Sequence, residues 1–557
     1  MPTPSFPTPA PPAGRRRPAL TAVTAVTVAA LLAAAGCSGP DGDSGAGDGP
    51  GGRNDTDTST NGQEGRNRAE SSSAPGNLTS QKLNWKPCPA PSAAEGGGPA
   101  PSPLPGGTKW ECASMAAPLD YAKPDGDTID LALVRGRTSD PGRRIGSLVF
   151  NFGGPGGSGV SGLPSFGTDY DKLRTRYDLV SFDPRGVGRS DPVECRNDKQ
   201  LDAYYATDMT PDTAAEQKSY VNGLSWYASG CEQRSGKELP FVGTVNAARD
   251  MELMRQVLGD DKLHYFGISY GTELGGVYAH LYPKSVGRAV FDAVVDPSET
   301  PEQGSLGQAE GFQLALTNFA KDCVKRGDAC QLPGSTPQEI EDFVVALLGR
   351  LDKKPIAGLG DRKLTQTQAT NGIAQALYSK EYWPLLEQGL DEADGGSGAL
   401  LLVLSDAMNG RNEKGQYSNI QAANAAVNCV DAKERYTLAQ TKAKLPEFRA
   451  ASPVFGEFLG WGLLGCSKWP VPGGSERTDV GAPGSAPILV IGNTGDPATP
   501  YAGAKAMVKA LGKGVGVELT FKGQGHGAYN AGSDCVQNAV NGYLLDGKVP
   551  KSGTVCT

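Results

Sequence analysis

The chain has 557 residues, 38% hydrophobic and 20% charged, with a formal net charge of −8. That length admits a large buried core, and the negative balance excludes a general nucleic-acid binder, which needs a basic surface to neutralise phosphate. Gly 76 and Pro 42 make the composition loop-rich and exclude long coiled helices, and no metal-ligand motif occurs, so neither a metal nor another cofactor is expected.

Arg15, Arg16 and Arg17 precede an apolar run from Ala19 to Ala35. A basic stretch followed by a short apolar one is the layout of an export signal, and the run is too short for a comfortable membrane span. It ends in LLAAAGC (31–37), where small residues before a cysteine resemble a bacterial lipobox. Residues 1–36 are therefore read as a lipoprotein signal peptide, with Cys37 as the lipidation site. Residues 37–78 hold almost no apolar side chains, cannot offset the entropy of ordering, and are read as a disordered tether. The expected location is the outer face of the cell membrane, through the lipid anchor, with release from the cell as the alternative. A monomer is expected.

Setting Cys37 aside leaves ten cysteines, an even set that suggests five disulfides in an exported chain. Cysteine spacing does not fix the connectivity; pairing in neighbour order would give Cys88–Cys112, Cys195–Cys231, Cys323–Cys330, Cys429–Cys466 and Cys535–Cys556. A Gly/Pro-rich patch at 93–107 reads as an exposed loop.

From about residue 145 the pattern changes. IGSLVFNF (145–152), YDLVSFD (177–183), LHYFGIS (263–269), VGRAVFDAVVD (286–296), APILVIGNTGD (486–496) and VELTFKGQG (517–525) are apolar runs of strand length, separated by amphipathic segments. Continuous apolar strands followed by helices predict a mostly parallel sheet with helices on both faces, an α/β fold. Residues 300–455 show helical patterning and little strand character. The expected organisation is a core in two parts, 79–299 and 456–557, interrupted by a helical cap at 300–455.

GISYG (267–271) matches G-x-S-x-G and joins an apolar strand to a segment with helical pattern. A nucleophilic serine needs a tight strand-to-helix turn, and flanking glycines avoid clashes there, so Ser269 is the candidate nucleophile. Its hydroxyl needs a base, usually a histidine oriented by a carboxylate. Of three histidines, His264 lies on the strand entering the turn and His280 well along the following helix. His526, in GQGHGAY after the last predicted strand, remains. Asp496 in NTGDPATP is the preferred acid, with Asp296 in VVDP as rival. Oxyanion donors are expected from the backbone of Tyr270 and of Gly154 in NFGGPGGSG (151–159), with Gly153 as the neighbouring possibility.

Together FGGPGGSG (152–159), FDPRGVGRS (182–190), GISYGT (267–272), GDPATP (495–500) and GQGHG (523–527) resemble the secreted tripeptidyl aminopeptidases of actinomycetes, relatives of the proline iminopeptidases. The resemblance implies an α/β-hydrolase fold and a serine exopeptidase acting on peptides with a free N-terminus. One departure is Phe152, which stands where proline iminopeptidases carry histidine. An aminopeptidase must also hold the substrate ammonium, and Glu273 and Asp431 are the candidate carboxylates. Two other functions compete: a carboxylesterase or lipid-ester hydrolase using the same three residues, and a binding lipoprotein without chemistry.

Overall fold

The computed structural model describes residues 74–474 and 479–557. The signal segment, Cys37 and most of the tether lie outside the described residues. Residues 74–78, assigned to the tether from sequence, are described, and the short helix Gly76–Thr79 already buries Leu78 in the main core.

The central sheet has ten strands: β1 (Lys86–Pro87), β2 (Glu111–Pro118), β3 (Thr128–Gly136), β4 (Gly146–Asn151), β5 (Tyr177–Phe182), β6 (Leu263–Ile268), β7 (Val286–Asp292), β10 (Ile488–Asn493), β11 (Gly516–Phe521) and β12 (Thr554–Cys556). Their order is β1-β2-β3-β5-β4-β6-β7-β10-β11-β12. The pairs from β5 to β12 are parallel, while β1, β2 and β3 form an antiparallel margin against β5. β4, β5 and β10 are buried along their whole length, as their mostly apolar sequences lead one to expect. Side chains alternate between two cores: Val149, Val180 and Val490 enter one, and Leu148, Phe150, Leu179 and Leu489 the other. The antiparallel margin was not anticipated. ECASMAAP and TIDLALVRG mix charged, small and apolar residues because a marginal antiparallel strand keeps one wetter face.

Between β7 and β10 the chain leaves the sheet for eight α-helices: Pro301–Arg326, Pro337–Lys353, Gln366–Leu377, Trp383–Asp394, Ala399–Met408, Ile420–Asp431, Leu438–Ala451 and Gly456–Gly462. A two-residue hairpin, β8 (Ile356–Ala357) with β9 (Lys363–Leu364), lies among them. Four of the helices open on a threonine, Thr300, Thr336, Thr365 or Thr437, that accepts from the N3 backbone while the N3 Glu or Gln side chain returns the bond. These helices bury their own core, including Phe312, Leu316, Phe319, Leu347, Ile373 and Leu401. A mostly parallel sheet flanked by helices and carrying a helical insertion after β7 is an α/β-hydrolase fold with a cap. No helix among the described residues is long and apolar enough to cross a membrane.

The ten cysteines pair in neighbour order, as expected. The 93–107 patch is not simply an exposed loop. Glu95 is buried against Arg189, Leu104 joins a core, and the carbonyls of Ala94 and Gly96 accept from Asn419 and Asn412 of the cap region. Glycines there let the chain follow the surface, but its polar groups are spent on the fold.

The motif FDPRGVGRS is structural. Asp183 accepts from Ser158 Oγ (2.6 Å), Val160 N (3.0 Å) and Arg189 N (2.9 Å), bracing the loop after β4. Arg185 is fully buried. Its guanidinium grips Asp250 at 2.7 and 2.6 Å and donates its remaining N–H groups to the carbonyls of Pro118, Leu119 and Phe241. Removing one partner of such a pair strands the other in low dielectric at a cost of roughly 3–5 kcal/mol. Asp250→Ala should therefore lose about that much stability in denaturant titrations with the disulfides intact; a loss below about 1 kcal/mol would contradict the burial argument.

Candidate active site

Ser269 sits between β6 and the helix Tyr270–Leu281 with φ 59° and ψ −128°, a conformation that non-glycine residues rarely adopt. The surroundings enforce it. A Cβ on Gly267 would lie 2.3 Å from the Gly271 carbonyl, one on Gly271 would lie 2.6 Å from the Asn151 carbonyl, and one on Gly153 would lie 2.5 Å from the Ile268 carbonyl. Three backbones thus converge on one serine, and only glycine permits it. Ser269 N donates to the Asp292 carbonyl at 3.0 Å, which ties the turn to the end of β7.

His526 follows β11. Its Nδ1 lies 2.8 Å from Asp496 Oδ1, and both side chains are buried. Asp496 is also the turn residue its Asp-Pro context suggested: Oδ1 accepts from Ala498 N (3.0 Å) and Thr499 N (2.9 Å), and Oδ2 from Gly527 N (3.1 Å). One carboxylate therefore shapes its own loop and aligns the imidazole. His526 Nε2 is buried without a hydrogen-bond partner, so Ser269 Oγ and the imidazole are not yet bonded, as is common before substrate binds. The rival Asp296 instead accepts from Ser298 N and Oγ in a local turn. His264 accepts from Arg288 N, with burial first and nearby arginines next pushing its pKa down to about 4; His280 bonds the Gly481 carbonyl. Both are structural.

The sequence reading passed over Asp292, four residues before Asp296. It ends β7 beside Ile268 and is buried. Its carboxylate accepts from Ala528 N (3.0 and 3.1 Å) and Tyr529 N (2.9 Å), clamping the loop that carries His526. Burial raises its pKa against the pull of these two donors. Asn493 at the end of β10 adds a second clamp, donating to the carbonyls of Gly525 (2.6 Å) and Gly527 (3.2 Å). From the cap, the Tyr378 carbonyl accepts from His526 N (2.7 Å), and the Tyr378 ring meets the imidazole edge-on at 5.2 Å. An aspartate closing an apolar strand was the available signal for Asp292. Nothing local marked Tyr378.

Of the two glycines after β4, Gly153 N already donates to Asn151 Oδ1 (3.0 Å). The N–H groups of Gly154 and Tyr270 have no protein acceptor among the described residues, which leaves them available to an oxyanion. Glu273, one turn along the helix from Ser269, and Asp431 of the cap face the same region. Burial first and the charge of Asp431 second push Glu273 up to about 8; burial pushes Asp431 up to about 6, against the pull of Thr244. Glu273 has no hydrogen-bond partner among the described residues, whereas Asp431 accepts from Thr244 N and Oγ1.

A strained serine at a strand end, with a histidine and a carboxylate at the same sheet edge, is the equipment of a serine hydrolase. Residues 452–556 match the family model described as TAP-like protein. The chain is 37% identical over 492 residues to serine protease Hip1 of Mycobacterium tuberculosis, covering 86% of this chain and 91% of that one. It is 38% identical to carboxylesterase B of the same species (80% and 86% covered) and 31% identical to tripeptidyl aminopeptidase of Streptomyces lividans (80% and 83% covered). The chain belongs to this family of tripeptidyl-aminopeptidase-like serine hydrolases.

If Asp292 positions His526, Asp292→Ala should lower kcat/KM by about 10²-fold, the scale expected when a catalytic group is misplaced by about an ångström. Circular dichroism should stay native; full activity in a folded variant would remove Asp292 from the site.

Proposed function

We propose that this protein is an exported serine exopeptidase that cleaves peptides near a free N-terminus. The observation that carries it is the pair of buried, mutually interacting carboxylates, Glu273 in the first turn of the helix after Ser269 and Asp431 of the cap. Keeping two desolvated acids near a reacting centre is costly unless a cation completes the site, and the ammonium of a peptide N-terminus supplies it. An ester hydrolase acting on uncharged substrates has no such cation to bring to Glu273, which has no hydrogen-bond partner among the described residues.

In this mechanism His526 removes the Ser269 proton as Oγ attacks the scissile carbonyl, and Asp496 holds the imidazole in the required tautomer and stabilises the imidazolium. The N–H groups of Tyr270 and Gly154 receive the oxyanion. His526 then protonates the leaving amine, and water hydrolyses the acyl-enzyme. The cap limits how much peptide fits between the ammonium site and Ser269. Export as a lipoprotein, with residues 1–36 removed, Cys37 acylated and the chain from 37 up to the described residues as tether, rests on the sequence pattern alone, as does the cap boundary at 300–455.

The test compares a tripeptide amide reporter with free and acetylated N-termini, and a short aryl ester, in wild type and Ser269→Ala. Cleavage of the free-amine peptide, weak cleavage of its acetylated form, and a loss on the order of 10⁶ in kcat for the variant are expected. Ester turnover without peptide turnover would sink the peptidase and leave the serine hydrolase.

The pH dependence has a definite sign. Both carboxylates have pKa values above their usual range, so the ammonium site gains charge as pH rises through about 6 and then about 8. The substrate amine loses its proton near pH ~8. For the free-amine peptide kcat/KM should pass through a maximum near 8 and fall towards pH 6, and Glu273→Gln should flatten that acid limb while leaving ester hydrolysis alone. An identical acid limb in Glu273→Gln would exclude this role.

A further inference from the structure

The cap helix Ile420–Asp431 touches both sides of the oxyanion hole, through different residues. At its C-terminal end Asp431 Oδ2 accepts from Thr244 Oγ1 at 2.6 Å, and Thr244 Oγ1 lies 2.6 Å from Tyr270 Oη. Because the threonine hydroxyl donates to the carboxylate, the tyrosine hydroxyl must donate to the threonine. The chain of bonds therefore runs from Tyr270 to Thr244 to Asp431. Thr244 N also donates to both oxygens of Asp431 (3.0 and 3.2 Å), placing the carboxylate on the first turn of the helix Thr244–Leu258, at its positive end. The approach is close: a Cβ on Gly243 would meet Asp431 Oδ1 at 2.6 Å.

Nearer its start the same helix reaches the other donor loop. Asn424 Nδ2 donates to the Pro155 carbonyl (3.1 Å), directly after Gly154, and Asn428 Nδ2 donates to Asn424 Oδ1 (3.0 Å), which fixes the amide's orientation. Here too a glycine allows the contact, since a Cβ on Gly156 would lie 2.5 Å from the Ile420 carbonyl. The helix is itself anchored at both ends. Asn419 bonds Gly186, Gly188 and Val193 of the core, and Cys429 is joined to Cys466.

We propose that this cap helix sets the position of both oxyanion donors, with Thr244 and Asn424 as positioning residues, Thr244 acting through the Tyr270 side chain and Asn424 through the Pro155 carbonyl in the loop that carries the Gly154 N–H. Neither residue touches the reacting atoms. Each fixes a backbone whose N–H must lie within a few tenths of an ångström of its place to stabilise the oxyanion. A cap anchored in this way is part of the catalytic framework as well as a cover. The proposal rests on the oxyanion assignment and needs no particular substrate; if Asp431 also receives the substrate amine, amine binding and oxyanion stabilisation share one carboxylate.

The experiment measures kcat and KM for the free-amine tripeptide amide and for a short aryl ester, together with inhibition by a peptidyl boronic acid whose tetrahedral adduct fills the oxyanion hole. The enzymes are wild type, Thr244→Val, Thr244→Ser and Asn424→Leu. Thr244→Val and Asn424→Leu should each lower kcat on the ester about tenfold or more with KM nearly unchanged, and weaken the boronate by a similar factor, a fraction of the loss from deleting a donor outright. Thr244→Ser, which keeps the hydroxyl, should restore both. The ester carries this test even if the enzyme cleaves no peptide, so failure of the peptidase reading is seen separately. An ester kcat unchanged in Thr244→Val and Asn424→Leu would overturn the proposal. So would a Thr244→Ser variant as impaired as Thr244→Val, and so would a rise in peptide KM alone, which would limit Thr244 to holding the ammonium site.

Discussion

The site depends on how closely three backbone segments approach Ser269. The ends of β4 and β6 and the first turn of the following helix come so near one another that Gly153, Gly267 and Gly271 have no room for a Cβ. That crowding holds Ser269 at a φ of 59°, a conformation costing on the order of 1–3 kcal/mol, which persists only because the surrounding structure over-determines it. The strain has a use. It places Ser269 at the start of a helix, with the Tyr270 N–H lacking an acceptor among the described residues, where negative charge is favoured.

His526 poses the opposite problem, since it sits on a loop and must be made rigid from outside. Four contacts do this: Asp496 on Nδ1 and on Gly527 N, Asp292 on Ala528 N and Tyr529 N, Asn493 on two loop carbonyls, and the Tyr378 carbonyl on His526 N. The first three arise at the ends of adjacent strands, so the regular strand spacing of the sheet sets where the loop lies. The fourth comes from the cap, and it makes the cap a condition of the histidine's placement. The Cys429–Cys466 disulfide ties the end of the cap helix Ile420–Asp431 to the chain after the cap, and the buried Arg185–Asp250 pair ties the loop after β5 to the helix Thr244–Leu258.

Burial at the site has two electrostatic effects. It strengthens the Asp496–His526 interaction by excluding water, and it raises the pKa of Glu273 and Asp431, which interact with each other and have no cationic partner among the described residues. The same low dielectric thus strengthens the Asp496–His526 pair and disfavours the charged forms of Glu273 and Asp431.

By itself the sequence determined the elements whose signals are local. Apolar runs marked the six central parallel strands because strands buried on both faces are mostly apolar. GISYG marked the strained turn that carries Ser269 because the sharp turn requires glycines beside it. The small number of histidines pointed to His526, and the even cysteine set suggested the disulfides. Tertiary structure alone decided what depends on convergence. Asp292 rather than Asp296 supports the histidine loop because strand register sets which aspartate reaches residues 528 and 529. The Gly153 N–H is taken by Asn151, which leaves Gly154, and no motif encodes that choice. Glu95 is buried, although its glycine-rich context reads as exposed, because Arg189 lies opposite it. Tyr378, Thr244 and Asn424 act from segments far from Ser269 or His526 in sequence, and a contact between distant segments leaves no periodicity or spacing for a sequence to display.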